Sequence, residues 1–197
     1  MQQAKTAFIL LLLLTVLTGI FYPLMITGIA QYCFPWQANG SVIKDNDESI
    51  GSQWIGQFFS SPDYFWGRPS MTDYYPYNGL ASSGSNSGPS NPIFLATVDA
   101  RVNYLKAHHA INQKPIPIDL VTASGSGLDP DISPSAAFYQ VSRVAKARNL
   151  SEDVLIQLIK NQTKSRTLGV LGEPRVNVLQ LNLALNHLGN KHVRSTR

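Results

Sequence analysis

The chain has 197 residues, of which 44% are hydrophobic and only 14% are charged, and its formal net charge is +4. Soluble domains typically carry about 25% charged residues, so this chain is poor in charge. Its length fits one domain of ordinary size with an appendage. A mild positive charge is not, alone, a sign of nucleic-acid binding, and no nucleic-acid partner is expected. The single cysteine, Cys33, excludes an intramolecular disulfide and a cysteine-rich zinc module.

An uncharged stretch near the amino terminus predicts a transmembrane helix. No charged residue occurs between Lys5 and Lys44, and residues 7–29 are almost entirely apolar. As a helix this segment is roughly 34 Å long, which is enough to cross a hydrocarbon core of about 30 Å. Directly after it come aromatic residues of the kind that favour the headgroup region: Tyr32, Phe34 and Trp36.

The charges that flank this helix predict its orientation. Lys5 and the terminal amine lie on one side, whereas the other flank has no basic residue nearby, and positive charge favours the cytoplasmic side. We therefore expect a cytoplasmic tail at 1–6, a single span of the cell inner membrane at 7–29, and a periplasmic (extracytoplasmic) domain at 30–197. A signal peptide cleaved after Ala30 is the alternative, but the apolar run is longer than such peptides usually have.

The rest of the chain mixes helical and strand patterns, which predicts an α+β fold. Two stretches rich in Gly, Ser, Asn and Pro, 78–92 and 122–131, are expected to be loops. Asn91-Pro92 and Ser133-Pro134 are typical helix starts, because a polar cap precedes a proline. The expected helices are 92–109, 133–148, a short one after Ser151, and 175–188 with Gly189 as its stop signal, and the expected strands are 54–59, 64–66 and 116–120.

No motif for catalysis or metal binding stands out. The chain has no phosphate-binding P-loop, no dinucleotide-binding glycine pattern and no nucleophile elbow. His108 and His109 are adjacent, so on a helix they point about 100° apart, and we expect both to be solvated rather than to chelate a metal. Asp129 and Asp131 lack the further oxygen ligands of a calcium loop, which favours a turn. The sequence therefore predicts no catalytic residue and no metal site.

Six segments, in register along nearly the whole chain, resemble one protein family. The last of them reads Gly172-Glu173-Pro174-Arg175-Val176-Asn177-Val178-Leu179-Gln180-Leu181-Asn182. The others lie at 34–41, 55–70, 77–92, 119–134 and 143–150. Together they are similar to the KdpC family, which forms one of the chains of the bacterial and archaeal Kdp potassium-transporting ATPase.

This resemblance implies a function. The protein would be an accessory, non-transporting and non-enzymatic subunit of a high-affinity, ATP-driven potassium uptake complex. Its partners would be the lipid bilayer and three other chains of the Kdp complex: the potassium-channel-like chain, the P-type ATPase chain and a small peptide. Members of the family are needed for assembly and have been proposed as catalytic chaperones that raise the ATP affinity of the ATPase chain. The alternatives are a membrane-anchored module that binds a small ligand and an envelope hydrolase.

The resemblance implies one candidate site, and the two loops suggest another. ATP is a cofactor by resemblance only, through a nucleotide contact near Leu150 and Ser151. There the family's Leu-Ser-x-x-Gln pattern lacks its Gln, because position 154 is Val. Small polar side chains of the two loops would contact the partner chains, since small residues allow close approach. These candidates are Asn78, Ser85, Asn86, Ser90, Asn91, Thr122, Ser124 and Asp129.

Overall fold

The computed structural model describes residues 2–45, 47–109 and 114–195, with side chains described up to residue 188. The chain divides into two compact units, Met1–Ser52 and Gln53–Arg197. One apolar helix near the amino terminus is followed by mixed helix and sheet, so the predicted class of an α+β fold after a single N-terminal helix is confirmed.

The first unit begins with a long apolar helix. Helix α1 (Gln2–Val16) continues through one π-helical turn (Leu17–Phe21) into α2 (Tyr22–Cys33). The wide turn lies just before Pro23, where the missing amide and the proline ring disturb the ordinary helical hydrogen bonds. The helix has no buried residue and is long and apolar enough to cross a membrane. It extends beyond 7–29 at both ends, and the part that crosses the bilayer stays a prediction.

A short helix and a hairpin complete the first unit. Helix α3 (Pro35–Ala38) is followed by β1 (Val42–Asp45) and β2 (Glu48–Ser52), which pair antiparallel with a register shift at Ile43/Lys44 that leaves Ile50 of β2 as the extra residue. The Trp36 indole donates to the Val42 carbonyl at 3.0 Å. This hydrogen bond fixes the direction in which the chain leaves α3.

In the part of the second unit that the structure describes, five helices pack around a small sheet. The helices are α4 (Pro92–His108), α5 (Pro134–Tyr139), α6 (Val141–Arg148), α7 (Glu152–Gln162) and α8 (Val178–Ser195). The antiparallel sheet has the order β3-β5-β4, from β3 (Asp131–Ile132), β5 (Arg175–Asn177) and β4 (Thr163–Lys164). Between them lie fully buried apolar side chains: Phe65, Val144, Leu155, Ile159, Val176, Leu181 and Leu185.

Both predicted helix starts are confirmed. Asn91 accepts from the amide of Ile93 at 2.9 Å, and Ser133 accepts from the amide of Ala136 at 3.1 Å. Each cap precedes a proline at the first helical position, where the absent amide leaves no donor unpaired. The predicted helix 133–148 is present but is divided into α5 and α6 at Gln140.

The three strand predictions are wrong. Residues 54–59 and 64–66 form turns and irregular backbone, and Ile118–Leu120 is a single 3-10 turn. In that turn the amides of Leu120 and Val121 bond the carbonyls of Pro117 and Ile118, three residues back, so neither amide is left to pair with a neighbouring strand. The predicted helix 175–188 is also corrected: its first residues form β5, and α8 continues through Gly189.

Candidate partner-binding surface

Two irregular segments pack together and form a surface that we call the loop platform, residues 67–84 and 122–130. Ser70 Oγ donates to the Gly127 carbonyl at 2.7 Å. Gly127 has φ +68°, and a Cβ there would lie 2.5 Å from the Ser83 carbonyl oxygen. Only glycine fits this position, because the left-handed conformation and the close approach both exclude a side chain.

Tyr77 anchors the platform from within. A Cβ at Gly67 would lie 2.6 Å from its hydroxyl oxygen, and a Cβ at Gly56 would overlap its ring. The Tyr77 hydroxyl donates to the Arg68 carbonyl at 2.6 Å. Burial, assisted by the negative charge of Asp129, raises the pKa of Tyr77 to about 12, so the hydroxyl stays a hydrogen-bond donor at neutral pH.

Two ion pairs connect the platform to the sheet. Arg68 Nη1 lies 3.1 Å from Asp129 Oδ2, and its Nη2 donates to the Ala123 carbonyl at 3.2 Å. Asp129 Oδ1 accepts from the amide of Asp131, whose carboxylate pairs with Arg175 in β5 at 3.0 Å. Burial raises the pKa of Asp131, while the Arg175 guanidinium lowers it. The loop conformation is therefore tied to the folded core.

Most of the predicted contact residues are buried or make bonds within this chain, so their side chains are not free to contact a partner. Asn91 is the cap of α4, Asn78 and Ser124 are buried, and Thr122 donates to the Ile118 carbonyl at 2.8 Å. Asn78 also positions the loop, because its Oδ1 accepts from the amide of Leu80 at 3.0 Å. Asp129 is engaged in the ion pair above. The candidates with exposed side chains are Ser85, Asn86 and Ser90.

Arg143 in α6 carries a buried guanidinium that organises a second cluster of side chains and backbone groups. Arg143 lies 3.9 Å above the Trp66 ring, and burial lowers its pKa to about 10, so it stays charged at neutral pH. The sequence pattern did not reveal this role, because a basic residue near a helix end is usually solvated. Its donors bond four uncharged groups: His109 Nε2 (3.0 Å), Tyr64 O (2.9 Å), Pro62 O and Gln140 Oε1 (2.7 Å).

The prediction that both histidines are solvated is wrong for His109. His108 is exposed, whereas His109 is 3% exposed and packs edge-on against Trp66. Its Nδ1 lies 2.9 Å from the Leu105 carbonyl and its Nε2 accepts from Arg143. These two partners require the neutral tautomer with the proton on Nδ1. Burial first, and then the charge of Arg143, lower the pKa of His109 to about 4, against the Leu105 hydrogen bond, which raises it.

We expect His109 to make stability fall on acidification. The unfolded chain takes up a proton at this site near pH 6.5 and the folded chain near pH 4, so the contribution is full above pH 6.5 and is lost as the pH falls to about 4. One pKa unit corresponds to about 1.4 kcal/mol, so the loss is on the order of 2–3 kcal/mol. Urea unfolding of the full chain at several pH values measures it. In His109→Gln the free energy of unfolding should change less with pH between 6.5 and 4 than in the wild type. In the variant of the exposed His108, His108→Gln, it should change as much as in the wild type. An equal pH dependence in all three proteins would contradict the role of His109.

A cavity of about 440 Å³ opens beside this cluster. It is lined by His108, His109, Ser142, Arg143 and Lys146, with smaller apolar residues around them. Two fixed positive charges make its chemistry more suitable for a small anion than for a cation.

The predicted nucleotide contact at Leu150 and Ser151 does not line this cavity. Leu150 is half-buried against the core, and Ser151 is exposed at the start of α7 without a side-chain capping bond. The exposed carboxylates of Glu152 and Asp153 follow in the first turn. They suit the helix dipole, but they repel a polyphosphate at the same place. Among the described residues, no three His, Cys, Asp or Glu side chains lie close enough to hold a metal ion.

Comparison with known proteins identifies the family. The family described as "KdpC: K+-transporting ATPase, c chain" matches residues 4–187. The "Potassium-transporting ATPase KdpC subunit" of Herpetosiphon aurantiacus is 56% identical over 184 residues, which cover 93% of this chain and 95% of that protein. The protein of the same name from Methylococcus capsulatus is 55% identical over 184 residues, 93% of this chain and 97% of that protein. The resemblance seen in the sequence is thereby confirmed, and this chain belongs to the KdpC family, the c chain of K+-transporting ATPases.

Proposed function

We propose that the chain is an accessory, non-transporting subunit of a high-affinity, ATP-driven potassium uptake complex. Residues 7–29 hold it in the cell inner membrane, with 1–6 in the cytoplasm and 30–197 on the periplasmic side. Its partners are a channel-like chain, a P-type ATPase chain and a small peptide, and it is needed for their assembly. The observation that carries this proposal is the family match across residues 4–187 together with the apolar amino-terminal helix.

The exposed part of the predicted contact loop supports an assembly role. Ser85, Asn86 and Ser90 lie between the loop platform and the capped start of α4, so both ends of their loop are held by ordered structure. Asn86 adopts a left-handed backbone at φ +49°, which asparagine tolerates better than most residues. An exposed polar loop with fixed ends loses little conformational freedom when a partner covers it.

The proposal extends to the regulation of ATP affinity, which the family resemblance implies. The carboxylates of Glu152 and Asp153 beside Ser151 disfavour a direct phosphate contact there. A periplasmic domain is also on the other side of the membrane from cytoplasmic ATP. We therefore propose that any such effect is transmitted through the partner chains rather than through nucleotide held by Leu150 and Ser151.

The experiment is copurification from potassium-starved cells. The full chain with an affinity tag should bring down both large partner chains after solubilisation in a mild detergent. Replacing Ser85, Asn86 and Ser90 together by arginine should reduce their recovery at least threefold, because bulky charge blocks close approach. Exposed Asn161→Arg on α7 is the matched control and should leave recovery unchanged. A monodisperse wild-type chain recovered without either large partner refutes the proposed function.

A further inference from the structure

Arg143 is a buried cation without an acidic partner. The residue is 8% exposed, and none of the ion pairs formed by the described residues includes it. The carboxylate of Asp63 favours the charge of Arg143 from beyond ion-pair distance, but it pairs with Arg148 at 3.5 Å. Buried charges in proteins are usually paired with an opposite charge. The positive charge of Arg143 is therefore not balanced within the described part of the chain.

The cavity of about 440 Å³ beside Arg143 gathers further unused donors. Lys146 lies three residues later on the same face of α6, and its exposed ammonium forms no ion pair with a described residue. The half-buried Ser142 hydroxyl forms no hydrogen bond with a described residue. Of the five N–H groups of a guanidinium, one on Arg143 Nη2 also has no acceptor among those residues. All three side chains line the cavity, and none of its described lining residues is acidic.

The carboxyl end of α4, which also borders the cavity, has its negative end partly neutralised. The last carbonyls of a helix carry partial negative charge and repel an anion. Here the Tyr104 carbonyl lies 2.8 Å from His108 Nδ1, and the Leu105 carbonyl lies 2.9 Å from His109 Nδ1. Because an imidazole bonds each of these two carbonyls, the helix end opposes the positive charge of the cavity only weakly.

We propose that this cavity binds a doubly charged tetrahedral oxyanion, phosphate or sulfate, through Arg143, Lys146 and Ser142. The two cations offset two negative charges, whereas a single carboxylate would leave one positive charge unbalanced. The N–H groups of a guanidinium match oxyanion geometry, and bonds between charged groups are stronger than bonds between neutral ones. The cavity volume of about 440 Å³ leaves room for waters that bridge the anion to the walls.

The walls of the cavity favour a compact anion over two larger phosphate compounds. Nucleotide bases are commonly held by stacking on aromatic side chains, but the described lining residues include no Phe, Tyr or Trp, and the apolar ones are Pro62, Ala107 and Ala147. The His108 ring is already stacked against Tyr104, with 4.1 Å between the ring centres. A phospholipid phosphodiester carries one negative charge and would leave one of the two cations unbalanced.

The test is calorimetric titration of the full chain in detergent with inorganic phosphate, at an ionic strength held constant with chloride. We expect one site per chain with a dissociation constant of about 1 mM or tighter, and competition by sulfate. Lys146→Glu should weaken phosphate binding about tenfold or more, because it reverses a charge next to the anion. Lys160→Glu, exposed on α7, changes the net charge equally and should alter the affinity less than about twofold. Ser142→Ala should weaken binding about threefold through the lost hydrogen bond.

Urea unfolding without phosphate shows that each variant is folded. Added phosphate should then raise the wild-type midpoint more than that of Lys146→Glu, since a ligand of the folded state stabilises it. Absence of saturable phosphate binding, or equal affinities in Lys146→Glu and Lys160→Glu, overturns the proposal. So does ATP binding that is tighter than phosphate binding and lost in Lys146→Glu, which would assign the cavity to a nucleotide. Loss of phosphate binding in phosphatidylglycerol nanodiscs but not in phosphatidylcholine nanodiscs would assign it to a lipid headgroup, with the same consequence. No partner chain takes part, so this result and the copurification result can fail separately.

Discussion

Replacing Arg143 by alanine should lower the free energy of unfolding by about 2–4 kcal/mol, because the partly buried carbonyls and the buried Gln140 amide oxygen that it bonds lose a donor. The partly buried carbonyls of Pro62 and Tyr64 accept from the guanidinium and lose this donor, and Trp66 loses the cation stacked on its ring. Urea unfolding of the full chain in detergent, followed by tryptophan fluorescence, measures the change. Trp66 reports the site directly because the guanidinium lies 3.9 Å from its ring centre.

Two further variants show whether the geometry or only the charge of Arg143 matters. Arg143→Lys keeps the charge but cannot reach His109, Gln140 and the two carbonyls at once, since the ammonium is a compact point charge and not a planar fork. Its stability should lie between those of the wild type and of Arg143→Ala. Lys146→Ala, exposed on the same helix, should change stability by less than about 0.5 kcal/mol. An Arg143→Ala chain within about 1 kcal/mol of the wild type would contradict the structural role.

The parts of the fold that could be predicted from the sequence are those whose causes are local. The caps at Asn91 and Ser133 act on amides two or three residues away, so a short window contains the whole interaction. The uncharged amino-terminal stretch is equally local, because length and composition determine whether a helix can cross a bilayer. The family resemblance has the same basis, since it rests on short segments in order.

The parts that could not be predicted depend on distant partners. Residues 64–66 have the aromatic pattern of a strand, yet the groups that satisfy the backbone of Phe65 and Trp66 are side chains far along the chain. His109 has the sequence position of a solvated residue at a helix end, and its burial results from Trp66 and Arg143. Of the predicted contact residues, Asn78 and Ser124 are buried, because small polar residues are as useful inside an irregular loop as on its surface.

Replacing Asn182 by leucine should lower the free energy of unfolding by about 2–4 kcal/mol. Asn182 is 1% exposed, and its side-chain amide bonds both backbone groups of Phe65, accepting from the nitrogen and donating to the oxygen at 2.9 Å each. Gln140 bonds the nitrogen and oxygen of Trp66 in the same way, at 2.8 and 3.0 Å. The two amides therefore replace a neighbouring strand, which explains why the strand-like segment 64–66 is ordered outside a sheet.

Asn182→Asp makes the test specific to this hydrogen-bond pattern. At neutral pH the carboxylate can accept from the Phe65 amide but cannot donate to its carbonyl, and burial disfavours the charge. Protonation restores the donor, so the folded state binds the proton more tightly and the variant should recover stability, relative to wild type, as the pH falls from 7 to 5. Leucine at 182 should show no such recovery, and exposed Asn161→Leu should be neutral at both pH values. If the aspartate variant loses stability in parallel with the leucine variant on acidification, the side-chain amide does not hold residues 64–66 by the paired bonds described here.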